Sequence, residues 1–144
     1  MSDQSYASHT RFYPPFHFVL LPALLAGVAG SFVNLRQSLG DPQRIYSASL
    51  LVLVTIALVL VALFSRQFAL KAQDRAIRAE ENLRHFALTG TLLDPKLTIR
   101  QIIGLRFASD AEFVALAQKA AGSGMSEKEI KKAVTNWKAD HDRV

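Results

Sequence analysis

The sequence predicts an all-α protein. It reads as an antiparallel transmembrane helical hairpin whose second span extends into a long cytoplasmic helix, followed by three short helices. Three observations carry that expectation. Two uncharged, mostly apolar runs, Phe18 to Leu35 and Ile45 to Ser65, are separated by about nine residues. At about 1.5 Å per residue, the 21 residues of the second run reach roughly 30 Å, the thickness of a bilayer's hydrocarbon core. The stretch after it, residues 66–88, is charged, lacks Gly and Pro, and is rich in strong helix formers. Finally, Thr98, Ser109 and Ser126 each stand three residues before Gln or Glu at the head of an apolar run, the pattern of a capping box.

Composition narrows the classes. A chain of 144 residues is one small unit with a membrane part and a compact part, and its apolar residues are concentrated in the first 65. The absence of cysteine removes disulfides, thiolate metal sites and cysteine nucleophiles. Residues 66–144 carry 14 Lys/Arg against 10 Asp/Glu, and residues 1–65 carry 3 against 2. A basic segment beside a membrane points to topology and anionic lipid rather than nucleic acid.

Residues 1–15 read as an N-terminal interfacial segment. Aromatics around Pro14 and Pro15 suit the headgroup level, where a ring and a polar edge are both satisfied. Residues 16–66 form the two-helix transmembrane hairpin. A cleavable signal peptide is the rival for the first run, but that run lacks a Lys/Arg-rich leader and a second span follows. Ala23, Gly27 and Ser31 make one line of small residues on the first span, and Ala26, Gly30 and Asn34 the next. Such lines let helices approach closely in lipid; the expected neighbour is the chain's own second span, and the rival is a partner's helix. Gly40-Asp41-Pro42 supplies the turn. Arg11, Arg66, Lys71, Arg75 and Arg78 outweigh Arg36 and Arg44 in the loop, which places both termini in the cytoplasm.

Residues 67–90 read as a juxtamembrane helix. Ala62, Ser65, Ala69, Ala72, Ala76, Ala79, Leu83 and Phe86 recur at alternating spacings of three and four, a heptad seam of small residues. Alanine buries little area, so the seam alone does not hold a coiled-coil dimer; it is expected to receive the C-terminal helices or a partner. Glu80–Arg84 and Glu81–His85 are expected as exposed i,i+4 pairs. Thr89-Gly90 ends the helix. Residues 91–144 then read as a small helical cytoplasmic tail domain, with helices over 99–107, 110–121 and 127–139. The last presents Ile130, Val134 and Trp137 on one face, expected to pack on the preceding helices or the alanine seam. Lys128, Lys131, Lys132 and Lys138 lie on the other side as an anionic-surface contact.

Catalytic signatures are missing: there is no phosphate-binding glycine loop, no GxSxG and no His pair at metal-ligating spacing. The histidines stand apart at 9, 17, 85 and 141. His17, at the interfacial end of a span, is the one weak metal candidate, with haem or a chlorophyll-type pigment as ligand; a structural role is the expected one. His141 between Asp140 and Asp142 reads as a solvated tail.

At Arg11-Phe12, Phe16-His17-Phe18, Gln73-Asp74-Arg75, Glu80-Glu81, Leu105 to Asp110, Ile130-Lys131-Lys132 and Trp137, the chain resembles a bacterial family catalogued only as a domain of unknown function. The resemblance covers nearly the whole chain and implies a short two-span membrane protein with a cytoplasmic helical tail. It transfers no catalytic residue. The expectation is therefore a non-enzymatic accessory or scaffold subunit of a larger inner-membrane complex. Its partners are membrane lipid and other subunits or self, with no nucleic acid and no cofactor. The alternatives are a transporter or permease component and a haem- or pigment-associated subunit.

Overall fold

The computed structural model describes residues 13–139, and these are all-helical. The chain divides between Ala69 and Leu70 into two compact units.

In the first unit, a π-helical turn over Pro15–Leu20 leads directly into α1, Leu21–Gln37. The turn starts where the Tyr13 carbonyl accepts from the amides of Phe16 and His17, both at 3.1 Å. Pro15 and Pro22 sit at starting positions of their elements, where a missing amide proton costs least. The Ser38 hydroxyl donates to the Asn34 carbonyl at 2.8 Å as α1 ends. Gly40 takes φ +95°, and the Asp41 carboxylate accepts from the amides of Gln43 and Arg44. Pro42 is thereby the first residue of α2, a single helix over Pro42–Thr89. The long helix read from the sequence is thus present, and its apolar half pairs with α1 as a hairpin. Both helices are long and apolar enough to cross a membrane.

The small-residue lines behave differently from expectation. Ser31 alone is buried, and its hydroxyl meets that of Thr55 at 3.1 Å while also donating to the Val28 carbonyl. Ala23, Ala26, Gly27, Gly30 and Asn34 are exposed, and a Cβ built on Gly27 or Gly30 would meet nothing within 4 Å. The contact line runs one step round the helix, through Leu24, Val28, Ser31, Leu35 and Ser38, opposite Ala48, Val52 and Thr55. Each hydroxyl of the pair also donates to a carbonyl of its own helix, Ser31 to Val28 and Thr55 to Val52.

In the second unit, Gly90 at φ +75° stops α2, its amide bonding the Phe86 carbonyl at 2.8 Å. The loop after it folds back, carrying Leu93 and Leu97 into the core. Three helices follow: α3, Ile99–Leu105; α4, Asp110–Ser123; and α5, Glu127–Ala133. Helices α3 and α5 begin at complete capping boxes, whereas at α4 only the Ser109 amide to Glu112 half is made and the Ser109 hydroxyl forms no cap bond. The core joins Ile77 of α2 to Leu93, Leu97, Ile102, Ile103, Leu105, Phe113, Leu116, Ile130 and Val134. Gly104 marks the closest approach of α3 to α5: a Cβ there would lie 3.1 Å from the Ile130 Cγ2 and 3.2 Å from the Glu127 carbonyl oxygen.

The last helix is shorter than its sequence pattern. Val134 leaves helical geometry for an extended one at ψ 122°, and the segment that follows bends at residues 135–136 and bridges antiparallel from Trp137 to Ala108. Ser109 donates its amide to the Asn136 carbonyl and Lys138 its amide to the Phe107 carbonyl. Trp137 therefore does not continue the helical face of Ile130 and Val134. It is half-buried, with its ring 4.8 Å from that of Phe107.

Candidate functional site

The polar half of α2 has two faces with different fates. One is spent on the tail. Ile77, Glu81 and His85, at spacings of four, are buried there, and Arg84 between them is the centre of a latch. Its Nε donates to the Asp110 carboxylate at 2.7 Å and one terminal nitrogen to Glu81 at 3.0 Å. The other terminal nitrogen donates to the Ala108 carbonyl at 2.7 Å, and the guanidinium lies 4.3 Å from the centre of the Phe113 ring. One side chain thus ties α2 to the start of α4, with every edge of its planar fork used. Burial pushes the Glu81 carboxyl above its ordinary value, against the pull of Arg84 and the charge of Lys138.

A second clamp closes the far end of the tail. The Glu112 carboxylate accepts from the Thr135 hydroxyl at 2.6 Å and from the amides of Thr135 and Asn136 at 3.1 and 3.0 Å. It also accepts from the Ser109 amide, so a capping-box residue doubles as a cross-link to the extended segment. Desolvation opposes its ionisation, but these hydrogen bonds outweigh that and hold its pKa below the usual range. Glu129, capped by the Ser126 hydroxyl and amide, is lowered in the same way.

His85 borders an open cavity of about 490 Å³, whose lining includes Leu92, Leu93, Asp94, Lys96 and Gln118. Its Nδ1 donates to the Thr91 carbonyl at 2.7 Å, because a carbonyl only accepts, and its ring meets Phe113 edge-on. Among the described residues no cluster of three or more His, Cys, Asp or Glu forms a metal-binding group.

The expected exposed pairs are corrected accordingly. Arg84 pairs with Glu81 and Asp110 rather than Glu80, and His85 serves the Thr91 carbonyl rather than Glu81. The other face of α2 stays open. Ala69, Ala72, Ala76, Ala79, Leu83 and Phe86 are all exposed, so the tail does not pack on the alanine seam. The face the tail takes joins the apolar side chain of Ile77 to the hydrogen-bonding groups of Arg84 and His85.

Of the lysines expected as an anionic-surface contact, Lys128, Lys132 and Lys138 are exposed. Lys131 is buried instead, its Nζ bonding Glu127 at 2.6 Å and lying 5.4 Å from the centre of the Phe107 ring. His17 is held by its own turn, Nδ1 donating to the Tyr13 carbonyl at 3.0 Å, beside a Phe16 ring that carries the Arg66 guanidinium. His9 and His141 lie outside the described residues.

Sequence reasoning missed the latch and the clamp. Arg84 reads as the i,i+4 partner of Glu80 and Glu112 as a capping-box residue, and only the folded partners Asp110, Ala108 and Thr135 reveal their wider roles. The one available signal was Glu112 in a capping box immediately after Leu105-Arg106-Phe107-Ala108, a run too apolar to be a simple linker.

The chain matches the family described as "Family of unknown function (DUF6526)" over residues 1–144, and it belongs to that family. No curated protein and no solved structure matches it.

Proposed function

We propose that this member of a family without assigned activity is a non-enzymatic accessory or scaffold subunit of a bacterial inner-membrane complex. In this reading it crosses the membrane twice with both termini in the cytoplasm. The observation that carries the reading is the exposure of its two long apolar helices. Only 6% and 11% of their most apolar windows are buried, whereas the core helix of a water-soluble protein hides such a surface. Lipid is the solvent that tolerates it. The orientation rests on the excess of Arg and Lys flanking the outer ends of the spans over Arg36 and Arg44 in the loop.

The scaffold role follows from how α2 is used. A tail latched to one face by Arg84 leaves the opposite face, with Leu83 and Phe86, free for a second chain, whether another subunit or a copy of this one. A permease reading is weaker, because residues 18–35 and 45–65 contain no Asp, Glu, Lys or Arg to line a polar path. A haem or pigment reading rests on His17 alone, and the bond of its Nδ1 to the Tyr13 carbonyl orients the ring without arguing against ligation.

Since the chain has no cysteine, single-cysteine variants test the reading directly. Membranes washed with alkaline carbonate should retain the protein. An impermeant maleimide applied to intact spheroplasts should label Gln43→Cys and leave Ser123→Cys unlabelled until lysis. Release by carbonate overturns the membrane reading, and labelling of Ser123→Cys on intact cells overturns the orientation. Gentle detergent extraction followed by mass spectrometry should show co-purifying subunits; a solitary chain overturns the scaffold role.

A further inference from the structure

Ala72, Ala76, Ala79, Leu83 and Phe86 follow each other at spacings of four, three, four and three, and all are exposed, Leu83 at 68% and Phe86 at 51%. In heptad register Ala76 and Leu83 take position a, while Ala72, Ala79 and Phe86 take position d. Ile77 and Arg84 then fall at b, Glu81 at f and His85 at c. These are the residues the tail occupies, and they lie on the side of the helix away from the a/d seam. Docking of the chain's own tail and occupation of the seam do not compete.

The charges beside the seam define what fits it. Arg75 falls at g and Glu80 at e, both exposed. Neither forms an ion pair within the described residues, where Arg84 bonds Glu81 and Asp110 instead. In a parallel two-helix coil, g of one helix faces the e position five residues on in the other. Arg75 of one copy then meets Glu80 of the second, and symmetry makes the pair twice. A partner pairs with both charges only if it carries an acid and a base at this spacing, as a second copy does.

We propose that the seam from Ala72 to Phe86 is occupied by the same seam of a second copy, parallel and in register. The proposal rests on the membrane reading above, because insertion in one orientation makes the helices parallel. Anchoring in a common plane also raises their effective concentration. That confinement offsets the small area the alanines bury, and Leu83 and Phe86 supply the larger apolar contact.

The test uses the full chain in carbonate-washed membranes. Ala79→Cys, at d, should give an oxidative or short bis-maleimide cross-link at twice the chain's mass; Arg78→Cys, exposed at c, should give none. In the Ala79→Cys background, Arg75→Glu or Glu80→Arg turns two attractions into two repulsions. Either should lower dimer association about tenfold, and the double exchange should restore it. A chain retained in the membrane without a cross-link at Ala79→Cys overturns the dimer while the membrane reading stands. A product of any other mass, or a yield unmoved by the single reversals, also overturns it. Recovery of the chain in the carbonate supernatant overturns the membrane reading, and with it the confinement the dimer requires.

Discussion

At the scale of single residues, the second unit is held by ions whose surroundings decide their worth. Glu81 is buried and raised, and Arg84 is its principal compensation. Removing Arg84 alone strands that carboxylate, so Arg84→Met should cost the tail about 3 kcal/mol in urea unfolding. Glu81→Gln added to Arg84→Met should recover part of the loss, since no charge is then left unpaired. A single variant as stable as the wild type would show that the latch contributes nothing net. The two glutamates also set opposite responses to acid. Glu112 is lowered, so its contribution is complete above the ordinary value of 4.5 and is lost as pH falls through its folded pKa. Glu81 is raised, so its ionisation costs stability above 4.5 and acid relieves that cost. With unfolding midpoints measured from about pH 3 to pH 7, Glu112→Gln should lose less stability on acidification than the wild type and Glu81→Gln more. Equal slopes in all three proteins would deny both carboxylates their role.

At the scale of elements, the starts of α3, α4 and α5 were legible to the residue because a capping box is local chemistry. Their ends were not. Helix α5 stops at Ala133 because residues 135–138 pair with residues 107–109 and Glu112, an interaction no window of sequence displays. The choice of face on α2 was hidden for the same reason. Alanine spacing announces a seam, but the face actually used is set by distant groups: the core around Ile77, Phe113 against His85, and Asp110 and Ala108 on Arg84. Likewise α1 meets α2 at Ser31 and Thr55, while Gly27 and Gly30 face open space. Helix α3 crosses α5 at Gly104, where an added methyl meets Ile130 and a backbone oxygen. Gly104→Ala should destabilise the tail by about 1–3 kcal/mol despite its better helix propensity. A rise in the thermal midpoint would mean that α5 slides aside freely. Trp137, half-buried on Phe107, should show emission between the buried and solvated extremes and partial quenching by iodide. Complete protection or free quenching would contradict its position beside the extended segment.

At the scale of the whole molecule, the sequence pattern was most informative about partition. The apolar runs, the long helix and the compact end all stand where hydropathy and capping located them. The core of the second unit draws every member from residues 77–134, which makes that unit self-sufficient. A fragment of residues 70–144 should therefore fold in water as a cooperative helical domain. Its stability should be about 4–10 kcal/mol, judged by the usual range per residue. Circular dichroism with urea titration measures this; a non-cooperative melt would show that the unit needs the apolar half of α2.

The bonds that tie this unit together join residues close in sequence: Arg84 to Asp110, 26 apart; Gln101 to Met125, 24 apart; and Glu112 to Thr135, 23 apart. Short loops are closed at little entropic cost, so the search for the native arrangement is brief. Stopped-flow or temperature-jump refolding of the fragment should finish in microseconds to milliseconds, as for other local helical topologies. Such speed leaves little time for Phe107, Phe113 and Ile130, fully buried in the folded unit, to meet stray unfolded chains before the core closes over them.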